Sequence, residues 1–180
     1  MSDLEPLTGT RFGVIADAHI HPGKTPPFPE GLLDAFRGVD GIIALGDMGE
    51  TSGLDLLARL APVYAVAGED DAAGDARING ERRLFSLGGL AAGAVFSGVK
   101  HGLFASSDPL SLKPDFVKLS QRCFGRKLAV LLCASTHKPF AEQTSGVLIV
   151  NPGSPTLADK RTVALLDVTD GSPRAQHVEV

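Results

Sequence analysis

The stretch FGVIADAHIHPG, from Phe12 to Gly23, begins with apolar residues and ends with polar ones. A continuous apolar run of this kind is typical of a strand that is buried on both faces of a sheet. Asp17, His19 and His21 follow the run directly. The sequence therefore predicts a buried strand with a carboxylate and imidazoles just beyond its carboxyl end. We assign His21 to the following loop and leave it out of the predicted site.

The remaining elements are predicted from similar patterns. Three further apolar runs read as buried strands, at Gly41–Gly46, Pro62–Gly68 and Lys127–Ala134. Three segments have apolar residues at helical spacing, at Pro29–Val39, Gly53–Leu60 and Pro114–Phe124. A hairpin that turns at Gly88-Gly89, and short strands after Gly146, make the second half rich in strands. We predict one α/β domain, residues 1–180, with two sheets packed face to face and helices outside.

The composition narrows the classes of function. The formal net charge is −4 and the basic residues are scattered, so the sequence gives no specific nucleic-acid signal. The opening residues MSDLEPLTGT do not resemble a signal peptide, and no apolar run is long enough to cross a bilayer. Two cysteines, Cys123 and Cys133, fit a reducing compartment. We therefore expect a cytoplasmic protein without a membrane partner.

Ionisable side chains follow the ends of the predicted strands. In chain order they are Asp17, His19, Asp47, Glu69, Asp70, His101 and His137. In open α/β sheets, ligands bind beyond the carboxyl ends of the strands. Carboxylates and imidazoles without thiolates favour a divalent transition metal, namely Mn, Fe or Zn. Each residue taken singly is better explained by a turn or a hydrogen-bonded group, so this prediction depends on the ordered set.

In that order the residues resemble the calcineurin-like metallophosphoesterases, most closely the small bacterial phosphodiesterase branch. The family pattern is D-x-H, G-D, G-N-(H or C)-D, H-G-H, G-H-T-H and N-P-G-S. The corresponding segments here are Asp17-Ala18-His19, Gly46-Asp47, Gly68-Glu69-Asp70-Asp71, His101-Gly102-Leu103, Ala134-Ser135-Thr136-His137 and Asn151-Pro152-Gly153-Ser154. The likeness extends from Arg11 to Val168. It implies a four-layer α/β/β/α sandwich of two mixed β-sheets, with the metal at the sheet ends.

The resemblance implies one complete metal site and one impaired site. The first ion would be held by Asp17, His19, Asp47 and His137, all of which are present. The second would use the bridging Asp47, His101, and Glu69 in place of the family asparagine. A further histidine ligand is replaced by Ser135, and the second histidine of H-G-H by Leu103. One ion is thus expected, and a second could bind weakly, bind differently or be absent.

The resemblance also assigns a catalytic role to Asp70, which occupies the family's proton-donating position. A carboxyl group could act as a general acid there only if its pKa were raised well above ~3.9. Crowding by Glu69 and Asp71 would raise the pKa of Asp70, and a bound metal would lower it.

Three functions are compatible with the sequence. The first is a metal-dependent phosphoesterase that hydrolyses a phosphodiester with a metal-activated water. The second is a catalytically silent scaffold or protein-interaction module, as in the family's small retromer subunit. The third is a protein that binds a phosphorylated small molecule without hydrolysing it. We expect the loops at Pro22–Phe28 and Ser106–Pro114 to rim the site, although neither carries a nucleotide or lipid signature.

Overall fold

The computed structural model describes residues 4–25, 27–104 and 115–180 of the chain. Its helices are α1 (Glu30–Ala35), α2 (Thr51–Ala58) and α3 (Phe116–Phe124), with one 3-10 turn at Thr169–Gly171. Its strands are β1 (Glu5–Leu7), β2 (Arg11–Ile15), β3 (Gly41–Ala44), β4 (Val63–Ala65), β5 (Arg82–Leu87), β6 (Leu90–Val95), β7 (Val130–Leu132), β8 (Phe140–Thr144), β9 (Val147–Asn151), β10 (Thr162–Asp167) and β11 (Arg174–Glu179).

A five-stranded sheet has the order β11-β10-β2-β3-β4. Strands β2, β3 and β4 pair in parallel, whereas β10 is antiparallel to both β2 and β11. Because β2, β3 and β4 are parallel, their carboxyl ends lie at the same end of the sheet. The loops that begin with Ala16, Leu45 and Val66 therefore start side by side.

The second sheet has six strands in the order β1-β5-β6-β7-β9-β8. Strands β6, β7 and β9 are parallel to one another, and β5 and β6 form the predicted antiparallel hairpin. Strand β8 is antiparallel to β9 and forms one edge. The carboxyl ends of β6, β7 and β9 thus also lie together.

The two sheets bury their inner faces against each other, and the helices cover the outer faces. The inner cluster contains Phe12 from one sheet and Phe85 from the other. On the outer face of the five-stranded sheet, Leu32 of α1 and Leu57 of α2 share a buried cluster. On the six-stranded sheet the corresponding cluster contains Phe116 of α3. This arrangement confirms the predicted α/β/β/α sandwich.

The structure adds two strands that the sequence does not predict, β1 and β8. Both lie at the edges of the six-stranded sheet. Strand β1 contains Pro6, and the middle of β8 is exposed, from Ala141 to Gln143, and includes the polar Glu142 and Gln143. An edge strand needs neither a continuous apolar run nor a full set of backbone donors, so the pattern of a buried strand is missing from both.

The helices differ from the prediction at their ends. Helix α2 begins two residues before the predicted Gly53 and includes Thr51 and Ser52, and its N-cap residue is Glu50. The backbone N–H of Glu50 donates to the carbonyl of Ile20, which fixes where the helix begins. Helix α3 begins at Phe116 and is capped by the carboxylate of Asp115. None of the helices in the described ranges is long and apolar enough to cross a membrane.

Helix α1 ends at Ala35, four residues before the predicted Val39, and Phe36 forms its C-cap. The rim segment Ser106–Pro114 and Pro26 within the rim segment Pro22–Phe28 lie outside the described residues.

The ends of β3 and β4 come into very close contact at two glycines. Gly46 has a φ of +94°, and a Cβ atom there would lie 2.7 Å from the backbone nitrogen of Gly68. A Cβ atom on Gly68 would in turn lie 2.2 Å from the backbone nitrogen of Asp47. Only residues without a side chain allow this approach, which places the Asp47 loop against the Glu69–Asp71 loop.

Replacing Gly46 with alanine should therefore destabilise the protein by more than the cost of a positive φ at a residue that has a Cβ atom. Gly74 provides a matched control because its φ is +90° and a Cβ there would contact nothing within 4 Å. We expect Gly74→Ala to lower the free energy of unfolding by about 1–2 kcal/mol and Gly46→Ala by about 3 kcal/mol or more. Urea unfolding measures both. Equal losses for the two variants would show that the contact with Gly68 is unimportant.

Candidate metal centre

The loops after β2 and β3 remain paired beyond the ends of the strands. The backbone N–H of Asp17 donates to the carbonyl of Gly46 at 3.1 Å, and that of His19 donates to the carbonyl of Asp47 at 2.8 Å. A third bond joins the N–H of Ile20 to the carbonyl of Met48. These bonds hold Asp17 and His19 beside Asp47.

The six-stranded sheet is joined to the same place through Asp17. Its two carboxylate oxygens accept the backbone N–H groups of Ser135 and His137, each at 3.3 Å. Its backbone carbonyl accepts the hydroxyl of Ser154 at 2.7 Å. Asp17 therefore links the end of β2 with the segments that follow β7 and β9, and it brings His137 to the Asp17–His19 loop.

Left-handed backbone conformations are concentrated at this junction. Among the residues that the structure describes, seven non-glycine residues have a positive φ, and five of them are Asp17, His19, Asp47, Ser135 and His137. Such conformations are strained for residues with a Cβ atom, and they cluster at functional sites. The backbone here is therefore bent so that polar side chains turn into the space between the strand ends.

Three predicted ligands come together at the centre of the junction. Asp17, His19 and His137 each offer a ligand atom, and these atoms lie within 4.8 Å of one another. The two imidazole rings have centroids 5.4 Å apart. Asp47 adjoins this group, since its Oδ2 lies 3.6 Å from Nε2 of His19. The structure thus brings three of the four residues predicted for the first site close enough to share an ion, and it places Asp47 beside His19.

The second oxygen of Asp47 organises the neighbouring loop. Oδ1 of Asp47 accepts the backbone N–H groups of Glu69 at 2.6 Å and Asp70 at 2.8 Å. The carboxylate of Asp71 accepts three more, from Asp47, Met48 and Gly68. Asp71 thus holds the two loops together through their backbones. Oδ2 of Asp47 is left facing His19.

The electrostatics of the centre suit a cation. Asp17 is fully buried, and that burial, together with the nearby charge of Asp47, raises its pKa from 3.8 to about 7. Burial and the neighbouring His19 lower the pKa of His137, so that its imidazole stays neutral at physiological pH. Two carboxylates in a partly desolvated site repel each other, and neutral imidazole is the form that binds metals. The mixed oxygen and nitrogen donors therefore fit a divalent ion such as Mn, Fe or Zn.

Asp70 and His21 form a feature that the sequence does not predict as a unit. Oδ2 of Asp70 lies 2.6 Å from Nδ1 of His19 and 2.8 Å from Nε2 of His21. These bonds to His21 and His19 lower the pKa of Asp70. The raised pKa that a general acid would need is absent here. His21, which we assigned to a loop, is in contact with the site through Asp70.

Glu69 and His101 lie outside this group of ligand atoms. Within the described ranges, neither belongs to a group of three or more ligand atoms close enough to share an ion. Nε2 of His101 lies 3.7 Å from one carboxylate oxygen of Glu81. The other carboxylate oxygen of Glu81 accepts a hydrogen bond from Nζ of Lys100 at 2.7 Å. Burial has the largest effect in lowering the pKa of His101, and the nearby charge of Arg82 lowers it further.

Leu103 and Ser135 stand at positions where the family pattern has histidines, and both make contacts in the fold. Leu103 is fully buried in the apolar cluster under α3. Ser135 has a φ of +70° and donates its backbone N–H to Asp17, so its backbone contributes to the centre although its side chain is no imidazole.

The fold is that of the calcineurin-like phosphoesterases. The model of the calcineurin-like phosphoesterase superfamily domain matches residues 11–171. The chain is also 34% identical, over 154 residues, to a probable metallophosphoesterase from Methanocaldococcus jannaschii, a match that covers 84% of this chain and 71% of the relative. This chain therefore belongs to the calcineurin-like phosphoesterase superfamily.

Solved structures share the fold. Vps29 from Entamoeba histolytica, complexed with zinc, matches with a TM-score of 0.68 and 22% identity, covering 94% of this chain and 98% of Vps29. A novel archaeal phosphodiesterase matches with a TM-score of 0.66 and 17% identity, covering 93% and 99% of the two chains. At these identities the likeness extends to the fold alone.

The raised pKa of Asp17 predicts how stability depends on pH. Because the folded protein holds this proton more tightly than the unfolded chain, stability present at low pH is lost as the pH rises from 3.8 to about 7. A cation binds the deprotonated form, so stabilisation by Mn²⁺ should grow over the same range. Thermal unfolding with and without Mn²⁺, at about pH 5.5 and about pH 8, measures both effects.

The variant Asp17→Asn is the control for this prediction. It removes the titrating group, whereas His137, with its lowered pKa, acts in the opposite direction and remains. The difference between wild type and variant thus isolates Asp17. The raised pKa of Asp17 would be contradicted if, without metal, the stability of the wild type fell no more with rising pH than that of Asp17→Asn.

Proposed function

We propose that this protein is a metal-dependent phosphoesterase that hydrolyses phosphodiesters at one divalent ion held by Asp17, His19, Asp47 and His137. The observation that carries the proposal is the convergence of three of these ligand atoms to within 4.8 Å, with Asp47 beside them, in a chain of this superfamily. Zinc is one candidate ion, since a Vps29 of the same fold is complexed with zinc. Manganese and iron suit the same donors.

A bound divalent ion would supply Lewis-acid activation of a water molecule and of a phosphoryl oxygen. The residues of the chain supply the rest. The two carboxylates compensate the charge of the ion, and the backbone N–H groups of Ser135 and His137 hold the carboxylate of Asp17 in place. Asp71 holds the loops around Asp47. Preorganisation of this kind lowers the reorganisation needed during reaction.

We propose that any second ion binds weakly. Glu69 and His101 would have to provide its ligands, and His101 already faces Glu81. The ammonium group of Lys100 bonds to Glu81, and Glu69 contributes to raising the pKa of that lysine. The ammonium group of Lys100 therefore already neutralises part of the negative charge of Glu69 and Glu81, which would otherwise attract a second ion.

A cavity next to the centre supports a diester as the substrate. Its volume is about 520 Å³, and its walls include Ser135 and Thr136, which directly precede the ligand His137. Val99, Phe104 and Phe140 give it an apolar surface. A phosphodiester carries two organic groups where a phosphomonoester carries one, so such a cavity could bury one of them while the other is released. A phosphorylated small molecule with an apolar ester group fits this description.

The scaffold function has less support. In the described ranges the exposed large apolar side chains are Val99 and Leu157. Two side chains fall short of the contiguous patch that marks a protein-docking surface.

We place the activity in the cytoplasm because Cys123 and Cys133 are both free thiols, which suit a reducing compartment.

Exchange of Asp17 for asparagine tests the proposal. The Mn²⁺-loaded wild type should hydrolyse bis(4-nitrophenyl) phosphate with a higher kcat/KM than 4-nitrophenyl phosphate. Asp17→Asn should lose about 100-fold or more of the diesterase activity, because a charged ligand of the ion is removed. The matched control is Asp34→Asn, since the side chain of Asp34 is exposed and forms an ion pair with Arg37. Absence of turnover in the wild type, or equal rates in both variants, would refute the proposal.

A further inference from the structure

We propose that Asp70 is a positioning residue: one of its oxygens, braced by His21, fixes the ring of His19 so that Nε2 of His19 is presented to the metal ion. This inference rests on the proposed metal site and replaces the proton-donating role that the family resemblance implies for Asp70. It also gives a role to His21.

The first support is the geometry around His19. Its Nδ1 lies 2.6 Å from Oδ2 of Asp70, whereas its Nε2 lies 3.6 Å from Oδ2 of Asp47. The two ring nitrogens thus face two different carboxylates on opposite sides of the ring. An ionised carboxylate can only accept hydrogen bonds, so Nδ1 carries the proton. Nε2 then has its lone pair free for a cation, as in other carboxylate–histidine–metal arrangements.

The second support is that the same oxygen of Asp70 contacts His21. Nε2 of His21 lies 2.8 Å from Oδ2 of Asp70, so two imidazoles share one acceptor. Two donors fix the carboxylate more firmly than one, and Asp70 needs this because its side chain is 39% exposed. The His21 imidazole is joined to the centre through Asp70, and its other nitrogen lies 3.9 Å from a carboxylate oxygen of Glu50.

The third support is that the backbones of all three residues are held. The N–H of His21 donates to Oγ1 of Thr25 at 2.6 Å, and the hydroxyl of Thr25 donates to the carbonyl of His19 at 2.6 Å. The N–H of Asp70 donates to Oδ1 of Asp47, and its carbonyl accepts the N–H of Gly49.

A closed ring of contacts results. It runs from Asp47 to the backbone of Asp70, through the Asp70 side chain to His19, and back to Asp47. One metal ligand therefore positions the residue that orients another. In such arrangements the outer carboxylate both fixes the imidazole and strengthens it as a ligand, and its loss lowers metal affinity about 10–100-fold.

The direct test is the tautomer of His19 in the metal-free protein. Heteronuclear NMR of the histidine ring nitrogens at about pH 8, where an ordinary imidazole is neutral, reports which nitrogen is protonated. We expect Nδ1–H for His19 in the wild type and a shift toward Nε2–H in Asp70→Ala. A wild-type His19 protonated at Nε2, or an unchanged tautomer in Asp70→Ala, would overturn the proposal.

The second readout is the affinity for Co²⁺, measured by calorimetry. Asp70→Ala should raise the Kd about 10–100-fold. Asp70→Asn keeps an acceptor oxygen and should recover part of this loss, and His21→Ala should have a smaller effect than Asp70→Ala. The control Glu50→Gln changes a carboxylate that lies 3.9 Å from the other nitrogen of His21, and it should leave the Kd unchanged. A larger loss for His21→Ala than for Asp70→Ala would contradict the proposed order of contacts.

The two readouts separate this inference from the proposed function. If Asp70→Ala lowers turnover but leaves both the tautomer and the Co²⁺ affinity unchanged, Asp70 acts in the reaction itself and the positioning role is wrong. If the tautomer shifts as expected but the wild type has no phosphoesterase activity, the proposed function fails and the positioning of His19 stands. Should Asp70→Ala fail to fold, the wild-type tautomer and the partly exposed His21→Ala variant still decide the question.

Discussion

The buried carboxylate of Asp17 joins the two sheets of the sandwich at the point where the strands end. It accepts backbone N–H groups from the segment after β7, and its own carbonyl accepts the hydroxyl of Ser154 after β9. The same residue lies in the loop that carries His19. A carboxylate buried beside Asp47 destabilises the fold once it is ionised, and a cation at this position would offset that effect. Fold and metal binding therefore depend on the same side chain.

The loops around Asp17 are held together mainly by contacts with backbone atoms. Gly46 and Gly68 let two loops touch, and Asp71 fastens them through three backbone N–H groups. Asp47 divides its oxygens between the loop of Asp70 and the ring of His19. The result is a centre whose ligands are held by neighbouring loops on one side and by the six-stranded sheet on the other.

Much of this could be predicted from the sequence, and the exceptions have physical reasons. Buried parallel strands require continuous apolar runs, so β2 and β3 were readily predicted, whereas the edge strand β8 has no such requirement. The sequence order placed Asp17, His19, Asp47 and His137 at neighbouring strand ends. It could not reveal the pairing of His21 with Asp70, because that contact depends on two left-handed residues in the preceding loop, Asp17 and His19. The pairing of His101 with Glu81 was equally hidden, because Glu81 belongs to no motif.

The metal content of the protein tests the central claim most directly. After equilibration with excess Mn²⁺ and removal of unbound metal, elemental analysis gives the number of ions per chain, and anomalous scattering from a crystal places them. We expect one tightly bound ion in contact with Asp17, His19, Asp47 and His137. A protein that binds no ion, or binds its ion only at other residues, would contradict it.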